Sequence, residues 1–214
     1  IVKLLTNAFP EVADFPHTTN KPTPGMAQYE NIQFQLIDTP PLTKDYTEPA
    51  LTDLIRRADI VVILLDLSAD PMQQFEDTLT ILRAFRIYSE ACTIPEDMRK
   101  TPKIKKIIIV VNKMDRPEDK ENLEIFLELS GTTLPCMGAS VRTCRNIMAF
   151  LDKLYELSGI IRVYTKPPGK DADRTSPFVI SAGSTLADLA GKVHNDFVNK
   201  LKYAKAWGRS VRDG

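Results

Sequence analysis

A short, uninterrupted apolar run, Ile107–Val111, constrains the fold of this 214-residue chain more than any other segment. Every residue of the run is β-branched, which is typical of a strand covered on both faces in a parallel sheet. The run leads directly into Asn112–Asp115, which carries three polar side chains. Ligands bind outside the carboxyl ends of the strands in open α/β sheets. The sequence therefore predicts a buried strand and a binding site at its end.

Segments of strand and helix character alternate along the rest of the chain. Ile60–Asp66 is a second apolar run and is predicted to be another central strand. Pro71 suits the first turn of the amphipathic helix that follows it. This alternation predicts a parallel sheet of βα units. The remaining predicted elements are a helix end at 1–7, a loop at 9–25, strands at 26–29 and 32–37, helices at 48–58 and from 71 to about 88, a polar loop or inserted element at 89–106, a helix at 118–129, a short strand at 133–138 and a helix at 145–157.

The composition argues against several classes of protein. Basic and acidic residues balance at 28 each, so the chain has no overall charge preference for nucleic acid or membranes. The longest apolar run, Ile60–Leu67, is far too short to span a bilayer. Cys92, Cys136 and Cys144 form no CxxC pair, which argues against a zinc site and indicates reduced thiols in a cytoplasmic protein. The length allows one large core, or one domain with a small second domain.

Asn112, Lys113 and Asp115 match the chemistry of a guanine site. Asp115 can accept from the two donors on a guanine edge, Asn112 can bond the acceptor side of the ring, and the Lys113 stem can lie flat against the base. Adenine offers no such pair of donors. The alternative is a polar strand-to-helix turn in which Asp115 stands near a helix start ahead of Pro117. Taken alone, the motif favours this alternative.

Three further positions follow the order expected of a nucleotide site. Asp38 ends a predicted strand, where an aspartate can hold Mg²⁺ beside a nucleoside triphosphate. Thr18 and Thr19 lie in an upstream loop, where a hydroxyl can reach the same ion only when a γ-phosphate is present. Ser140 and Val141 follow the strand after the Asn112–Asp115 segment, where a backbone N–H can meet the guanine carbonyl. Each position alone is weak evidence for a nucleotide site, because such residues are common in loops and helix caps. Their occurrence together in the expected order is much stronger evidence.

Several segments resemble the Obg/DRG branch of the translation-factor-related GTPases. FPHTTNKPTPG is similar to the first switch loop of that branch, LIDTPPL to its DxxG motif, VNKMD to its guanine motif and ASVRT to its last motif. RVYTKPPG, SPFVI, GSTLADLAGKVHNDF and LKYAKAWG resemble the small TGS domain that ends DRG-type proteins. Together these segments cover nearly the whole chain.

The resemblance implies an α/β, P-loop-NTPase-like GTPase domain at 1–159 and a β-grasp TGS domain at 160–214. It implies GTP or GDP and Mg²⁺ as ligands, with a role for K⁺ left open, and no membrane attachment. In this family the TGS domain is associated with ribosome and RNA contact, which would fall on 160–214. The residues implied for guanine are Asn112, Lys113, Asp115, Ser140 and Val141, those for the phosphates and switch are Thr18, Thr19, Asp38 and Pro41, and those for Mg²⁺ are Thr19 and Asp38.

Two departures from the family pattern concern the phosphates. The chain contains no GxxxxGK[ST] loop, which the family places just before the segment matching Ile1–Leu5. The family's first strand, between those at 32–37 and 60–66, would be missing with it. We therefore expect a piece of a longer protein, cut in both domains, whose parent carries the loop. Pro41 stands at the DxxG glycine and has no N–H for a γ-phosphate.

Two functions remain open from the sequence. One is a GTP-hydrolysing switch that acts with the ribosome or RNA. The other is a non-hydrolysing nucleotide-binding or adaptor protein in which Pro41 marks a degenerate switch. Leu42 cannot orient water as a glutamine does, so whether the chain is an enzyme stays undecided. His17, beside Thr18, is interpreted as a loop residue before a catalyst.

Aromatic and basic residues interleave near the end of the sequence. Tyr203 and Trp207 lie in a stretch rich in lysine and arginine, where an aromatic can stack on an unpaired base while cations meet phosphates. The alternative, which the usual burial of large aromatics favours, is that both fill the core of the small domain. His194 is predicted to lie in a helix and to have a structural role.

Overall fold

The computed structural model of the protein describes residues 1–7, 22–43, 49–92, 94, 101–166, 169–194, 196 and 203–208. None of the helices in these ranges is long and apolar enough to cross a membrane. The helices are α1 (Val2–Leu5), α2 (Pro49–Arg57), α3 (Pro71–Ala84), α4 (Asp119–Ser130), α5 (Ile147–Ser158) and α6 (Leu186–Val193). The strands are β1 (Thr23–Tyr29), β2 (Ile32–Asp38), β3 (Ile60–Asp66), β4 (Ile87–Ser89), β5 (Lys103–Asn112), β6 (Cys136–Gly138), β7 (Ile160–Val163) and β8 (Phe178–Ser181).

The strand β5 is the centre of a four-stranded parallel sheet. It pairs with β3 from Lys106 opposite Ile60 to Asn112 opposite Asp66. Its first residues pair with β4, and residues 109–111 pair with β6. The predicted parallel sheet is therefore confirmed. Because parallel strands run in one direction, β3, β5 and β6 deliver their carboxyl ends to the same edge.

Both faces of β5 are covered by helices. Ile107, Ile109 and Val111 are at most 3% exposed and pack in one cluster with residues of α2, α3 and α4. Ile108 and Val110 pack in a second cluster, against α5 on the opposite face. Successive side chains of a strand point to opposite faces, so a strand between two layers must be apolar at every position. This explains the uninterrupted run in the sequence.

The segment after α3 differs from its prediction. The helix was expected to reach about residue 88, but it ends at Ala84. Arg86 has a φ of 58°, in the left-handed region that often terminates helices. The next three residues form β4 and are all buried. Tyr88 stands three positions beyond Phe85 and so continues the helical spacing of apolar residues. Periodicity alone cannot distinguish the end of such a helix from a short buried strand.

The lysines before the apolar run also belong to a strand. The prediction placed 89–106 in a polar loop or inserted element, but β5 begins at Lys103. Lys105 Nζ donates to the Ala58 carbonyl at 2.6 Å, and Lys106 Nζ donates to the Ser158 carbonyl at 3.2 Å. A lysine stem can lie along apolar surface while its ammonium bonds at the edge, so these charges extend the strand instead of ending it.

The strands β1 and β2 form a separate two-stranded sheet. As predicted they make a hairpin about residues 30 and 31, although β1 begins at Thr23 instead of at residue 26. Phe34 and Leu36 of β2 pack against the cluster that contains Ile108. Within the described ranges no strand pairs with both β2 and β3, so side chains attach the hairpin to the core. Most of the loop predicted at 9–25 lies outside the described residues.

A second compact unit comprises Glu30–Ile32 and Gly159–Gly214, and the first unit holds the rest of the chain. In the second unit β7 and β8 pair antiparallel, and α6 contacts β8. The hairpin turn belongs to this unit because Asn31 Nδ2 donates to Tyr164 Oη and to the Arg174 carbonyl, both at 2.9 Å. The small unit is therefore built from two separated parts of the sequence.

Two large aromatic side chains of the second unit are exposed. Tyr203 is 82% exposed and Trp207 is 66% exposed, so the expectation that they fill a core is wrong in the described part of the chain. Lys166 Nζ lies 5.4 Å from the centroid of the Trp207 ring, within cation–π distance. His194 follows α6 in an extended conformation instead of lying in the helix, and its Nδ1 accepts from the Asp196 N–H at 3.2 Å.

Candidate functional site

Two loops meet at the carboxyl edge of the four-stranded sheet. One leaves β5 through Asn112, and the other leaves β6 through Gly138 and Ala139. The Ala139 N–H donates to the Val111 carbonyl at 2.8 Å, and the Met114 N–H donates to the Ala139 carbonyl at 3.1 Å. Met114 is only 3% exposed, so its side chain anchors the first loop in the core. The side chains of Lys113 and Asp115, on either side of Met114, therefore project from a backbone that is fixed in place.

The Asp115 carboxylate is held from the second loop. Ser140 is fully buried, and its Oγ donates to Asp115 Oδ1 at 2.5 Å. The same hydroxyl accepts from the Thr143 N–H at 3.0 Å, which leaves its proton for the carboxylate. Asp115 Oδ2 has a longer contact of 3.5 Å with Arg142 Nη1, whose side chain is 82% exposed. Asp115 thus has one oxygen fixed by a buried donor and one that faces an exposed cation.

The turn into α4 is held by the carboxylate of another residue, Asp119. The Asp119 carboxylate accepts from the Arg116 N–H at 2.9 Å and from Arg116 Nη2 at 3.0 Å. Hydrogen bonds from the Arg116 backbone N–H and guanidinium hold the pKa of Asp119 below its usual range. Asp119 is 3% exposed and is the first residue of α4. The turn into α4 is therefore stabilised without the Asp115 side chain.

Asn112 also joins the two loops. Its Oδ1 accepts from the Val141 N–H at 3.2 Å. The structure therefore brings together four of the residues predicted for guanine, namely Asn112, Asp115, Ser140 and Val141. The Val141 amide is already used within the chain, so a guanine carbonyl would have to share this N–H with Asn112 or displace it.

Lys113, the fifth predicted guanine residue, points toward the end of β3. Its Nζ lies 2.6 Å from Asp66 Oδ2 and 3.2 Å from Ser68 Oγ. Asp66 Oδ1 also accepts from the Ser68 N–H at 2.9 Å and from its hydroxyl at 2.6 Å. Burial would raise the pKa of Asp66, but the hydrogen bonds from Lys113 and Ser68 outweigh it and lower the pKa.

Sequence reasoning did not assign Asp66 and Ser68 to the site. The signal that could have found them is the one that found Asp38 and Asp115, a carboxylate at the end of a predicted apolar strand. Gln74 of α3 holds the Asp66 backbone, because its Oε1 accepts from the Asp66 N–H and its Nε2 donates to the Asp66 carbonyl, both at 3.0 Å. The end of β3 is therefore fixed on both its backbone and its side chain.

The described residues predicted for phosphates and Mg²⁺ make fewer contacts with one another than those predicted for guanine. Asp38 is the last residue of β2 and shares no hydrogen bond or ion pair with the Asn112–Asp115 loop in the described part of the chain. Pro41 is exposed, and Leu42 packs against the cluster around Ile109. Thr18, Thr19 and His17 lie outside the described residues. Among the described residues no group of three or more His, Cys, Asp or Glu could hold a metal ion.

Gly138 keeps the two loops in contact. A methyl group on this residue would stand 1.9 Å from Met114 Sδ and 3.0 Å from Leu123 Cδ2. We expect Gly138→Ala to lower the free energy of unfolding by about 1–3 kcal/mol, because the buried thioether must shift in a packed core. Gly208→Ala is the matched control, since no atom of the described residues lies within 4 Å of a methyl group there. Equal urea midpoints for the two variants would show that Met114 moves aside freely.

Comparisons with known proteins match both parts of the chain. The family described as 50S ribosome-binding GTPase matches residues 1–113, and the TGS domain family matches residues 161–213. The chain is 25% identical over 268 residues to an uncharacterised GTP-binding protein of Methanocaldococcus jannaschii, covering 99% of this chain and 68% of that protein. It is 24% identical to developmentally-regulated GTP-binding protein 1 of Xenopus laevis, covering 97% of this chain and 71% of that protein.

Similar solved structures are more distant. The apo form of the translation elongation factor SelB from Methanococcus maripaludis has a TM-score of 0.41 and 19% identity, covering 67% of this chain and 30% of that chain. A bacterial selenocysteine-specific elongation factor has a TM-score of 0.48 and 17% identity, covering 80% of this chain and 30% of that chain. The family matches and the relatives agree with the resemblance inferred from the motifs. The chain therefore belongs to the 50S ribosome-binding GTPase family, within the DRG-type group that carries a TGS domain.

Proposed function

We propose that the protein binds guanine nucleotides, as its family does, through the two loops that leave β5 and β6. The observation that carries the choice of residues is the pair of cross-loop hydrogen bonds, from Ser140 to Asp115 and from Val141 to Asn112. These bonds join both loops into one polar surface at the carboxyl edge of the sheet, where α/β folds place their ligands. The Asp115 carboxylate fits guanine, because a carboxylate only accepts hydrogen bonds and guanine presents two donors on one edge.

Each residue has a distinct role in this proposal. Asp115 accepts from N1–H and the exocyclic amine of guanine, and Ser140 keeps the carboxylate turned toward them. Asn112 bonds the acceptor side of the ring, and the Val141 N–H meets the carbonyl. The Lys113 stem lies against the face of the base. Arg142 lies 3.5 Å from Asp115 Oδ2 and is the described cation that guanine would replace at that oxygen.

For the phosphates we propose Mg²⁺, with Asp38 and Thr19 facing the ion, Thr18 beside them in the switch loop, and K⁺ as a further candidate cation. A single carboxylate suits Mg²⁺ in nucleotide sites, because phosphate oxygens and waters complete its octahedral shell. Asp38 stands at a strand end and supplies such a hard oxygen ligand. When bound, the ion would neutralise charge on the phosphates.

GTP hydrolysis is the primary proposal for the phosphate chemistry, and nucleotide binding without hydrolysis is the second candidate. Pro41 favours the second candidate, because it offers no N–H where the family glycine would meet a γ-phosphate. Leu42 favours it too, since an apolar side chain that packs against the core cannot orient a water molecule. Membership of a GTPase family supports hydrolysis.

We further propose a domain boundary between residues 159 and 160, and contact of residues 160–214 with the ribosome or RNA. The exposed rings of Tyr203 and Trp207, with Lys166 beside Trp207, support this contact because aromatic faces stack on unpaired bases. A cytoplasmic location is part of the same proposal. The free thiols of Cys92, Cys136 and Cys144 support it, since such thiols persist in reducing compartments.

Titration of the protein with GDP, GTP and ADP, each with and without Mg²⁺, tests the proposal. We expect GDP to bind at least about tenfold more tightly than ADP, because adenine lacks the adjacent pair of donors that Asp115 accepts from in guanine. We expect Mg²⁺ to increase the affinity for GTP. Equal affinity for GDP and ADP would contradict the base assignment. Phosphate release from bound GTP then separates the two candidates, because only the hydrolytic switch produces it.

A further inference from the structure

The ammonium of Lys113 is held by two oxygen atoms at the end of β3. Asp66 Oδ2 lies 2.6 Å from Lys113 Nζ, and Ser68 Oγ accepts from it at 3.2 Å. The Lys113 backbone has a φ of 67°, which non-glycine residues seldom adopt. Both ends of the side chain are thus constrained, the backbone by an unusual conformation and the ammonium by two oxygen atoms.

The partners of Lys113 are themselves fixed. Asp66 is opposite Asn112 in the parallel pairing of β3 and β5, so Asp66 and Lys113 lie diagonally across two neighbouring strands. Ser68 donates to Asp66 through both its N–H and its hydroxyl, at 2.9 and 2.6 Å. The Leu67 N–H donates to the Asn112 carbonyl at 3.1 Å and ties the two strand ends together. The Lys113 stem therefore spans the sheet edge between β5 and β3.

We infer that Asp66 and Ser68 are positioning residues for nucleotide binding, which act by holding the Lys113 stem as a preformed wall for one face of the base. The inference rests on the proposed function, since it assigns no new ligand. A lysine loses considerable rotamer freedom when it is immobilised. Where the clamp immobilises it before the ligand arrives, binding does not incur that loss.

The clamp acts on the face of the base and has no contact with its edge. It therefore increases affinity for every purine that lies against Lys113, without distinguishing the substituents that Asp115 reads. GDP and IDP separate the two effects, because inosine lacks the exocyclic amine that donates to Asp115. Loss of the clamp weakens both nucleotides by the same factor, whereas a change at Asp115 alters their ratio.

Asp66→Asn tests the inference, with affinities for GDP and IDP measured by calorimetry. We expect both affinities to fall about fivefold, the upper range for a partly exposed ion pair, with an unchanged GDP to IDP ratio. In a Lys113→Met background, which keeps the stem but removes the ammonium, Asp66→Asn should have no further effect. An equal loss in that background would show that Asp66 acts by another route and would overturn the inference, as would a changed ratio.

Asp70→Asn is the matched control, because Asp70 caps α3 by accepting from the Gln73 N–H and has no contact with Lys113 among the described bonds. It should leave both affinities unchanged. Where Asp66→Asn does not fold, as judged by circular dichroism, Ser68→Ala provides the test and should produce a smaller, equal loss for both nucleotides. Unchanged affinities for GDP and IDP in whichever of these variants folds would overturn the inference about Asp66 and Ser68 without contradicting the proposed function. Equal binding of GDP and ADP by the unmodified protein would instead contradict the proposed function.

Discussion

Asp115→Asn is expected to change the preferred base of the site from guanine to xanthine. Ser140 Oγ donates to Asp115 Oδ1 at 2.5 Å, and an asparagine oxygen at the same place keeps this bond. The amide nitrogen then replaces Oδ2, the oxygen that faces Arg142. It presents a donor where guanine also has a donor, whereas xanthine has a carbonyl at that position.

The size of the change follows from the charge of the lost acceptor. A hydrogen bond to an ionised group contributes about 1.5–3 kcal/mol, so we expect GDP affinity to fall about 10- to 100-fold and XDP affinity to rise. Competition between GDP and XDP on the purified variant measures both. Asp53→Asn is the control, since it makes the same chemical change on the exposed face of α2 and should leave the preference unchanged. Unchanged selectivity of Asp115→Asn would refute the role assigned to Asp115.

Ile109→Ala is expected to cause the largest loss of stability. Ile109 is fully buried on β5, between β3 and β6, and belongs to the cluster formed with α2, α3 and α4. Removing three carbons there leaves a cavity that the parallel strands cannot close, because their backbones are hydrogen-bonded on both sides. We expect a loss of about 2–5 kcal/mol in the free energy of unfolding, a large part of the stability of a typical domain.

Urea unfolding followed by far-ultraviolet circular dichroism measures this loss. Ile125→Ala on α4 is the matched control, since Ile125 is 47% exposed and alanine has the higher helix propensity. We expect the control to change the stability by less than about 1 kcal/mol. The two compact units can unfold in separate transitions, so the comparison applies to the transition that reports the helices of the first unit. Equal losses for both variants would show that β5 is not the core of that unit.

The strands that the sequence predicted well are those whose pattern is local. Ile60–Asp66 matches β3, and the apolar run matches the buried part of β5, because both faces of a central strand demand apolar residues. β4 was missed because Tyr88 continues the helical spacing of the apolar residues of α3. The lysines that begin β5 were assigned to a loop because their carbonyl partners, Ala58 and Ser158, are distant in the sequence.

In the candidate site, too, local sequence patterns predicted some residues, whereas contacts between distant segments were not predicted. Asn112, Lys113, Asp115, Ser140 and Val141 could be predicted from the sequence, because the chemistry of a base edge demands particular side chains at strand ends. The clamp on Lys113 was not predicted, because Asp66 ends a strand more than forty residues earlier and Ser68 follows it, at a separation of 45 residues from Lys113. The hydrogen bonds from Arg116 to Asp119 were also missed, since they depend on how the turn into α4 folds.

By itself the sequence determined the alternation of apolar strands and helices, the family, and the identity of the polar groups at the strand ends. Those properties depend on residue type and short spacing, which the chain carries before it folds. Tertiary structure alone decided that Ser140 bonds one oxygen of Asp115 and that Lys113 pairs with Asp66. It also decided that the turn at Asn31 belongs to the second unit. Each of these depends on hydrogen bonds between distant segments, and the packing of parallel strands sets which of those segments become neighbours.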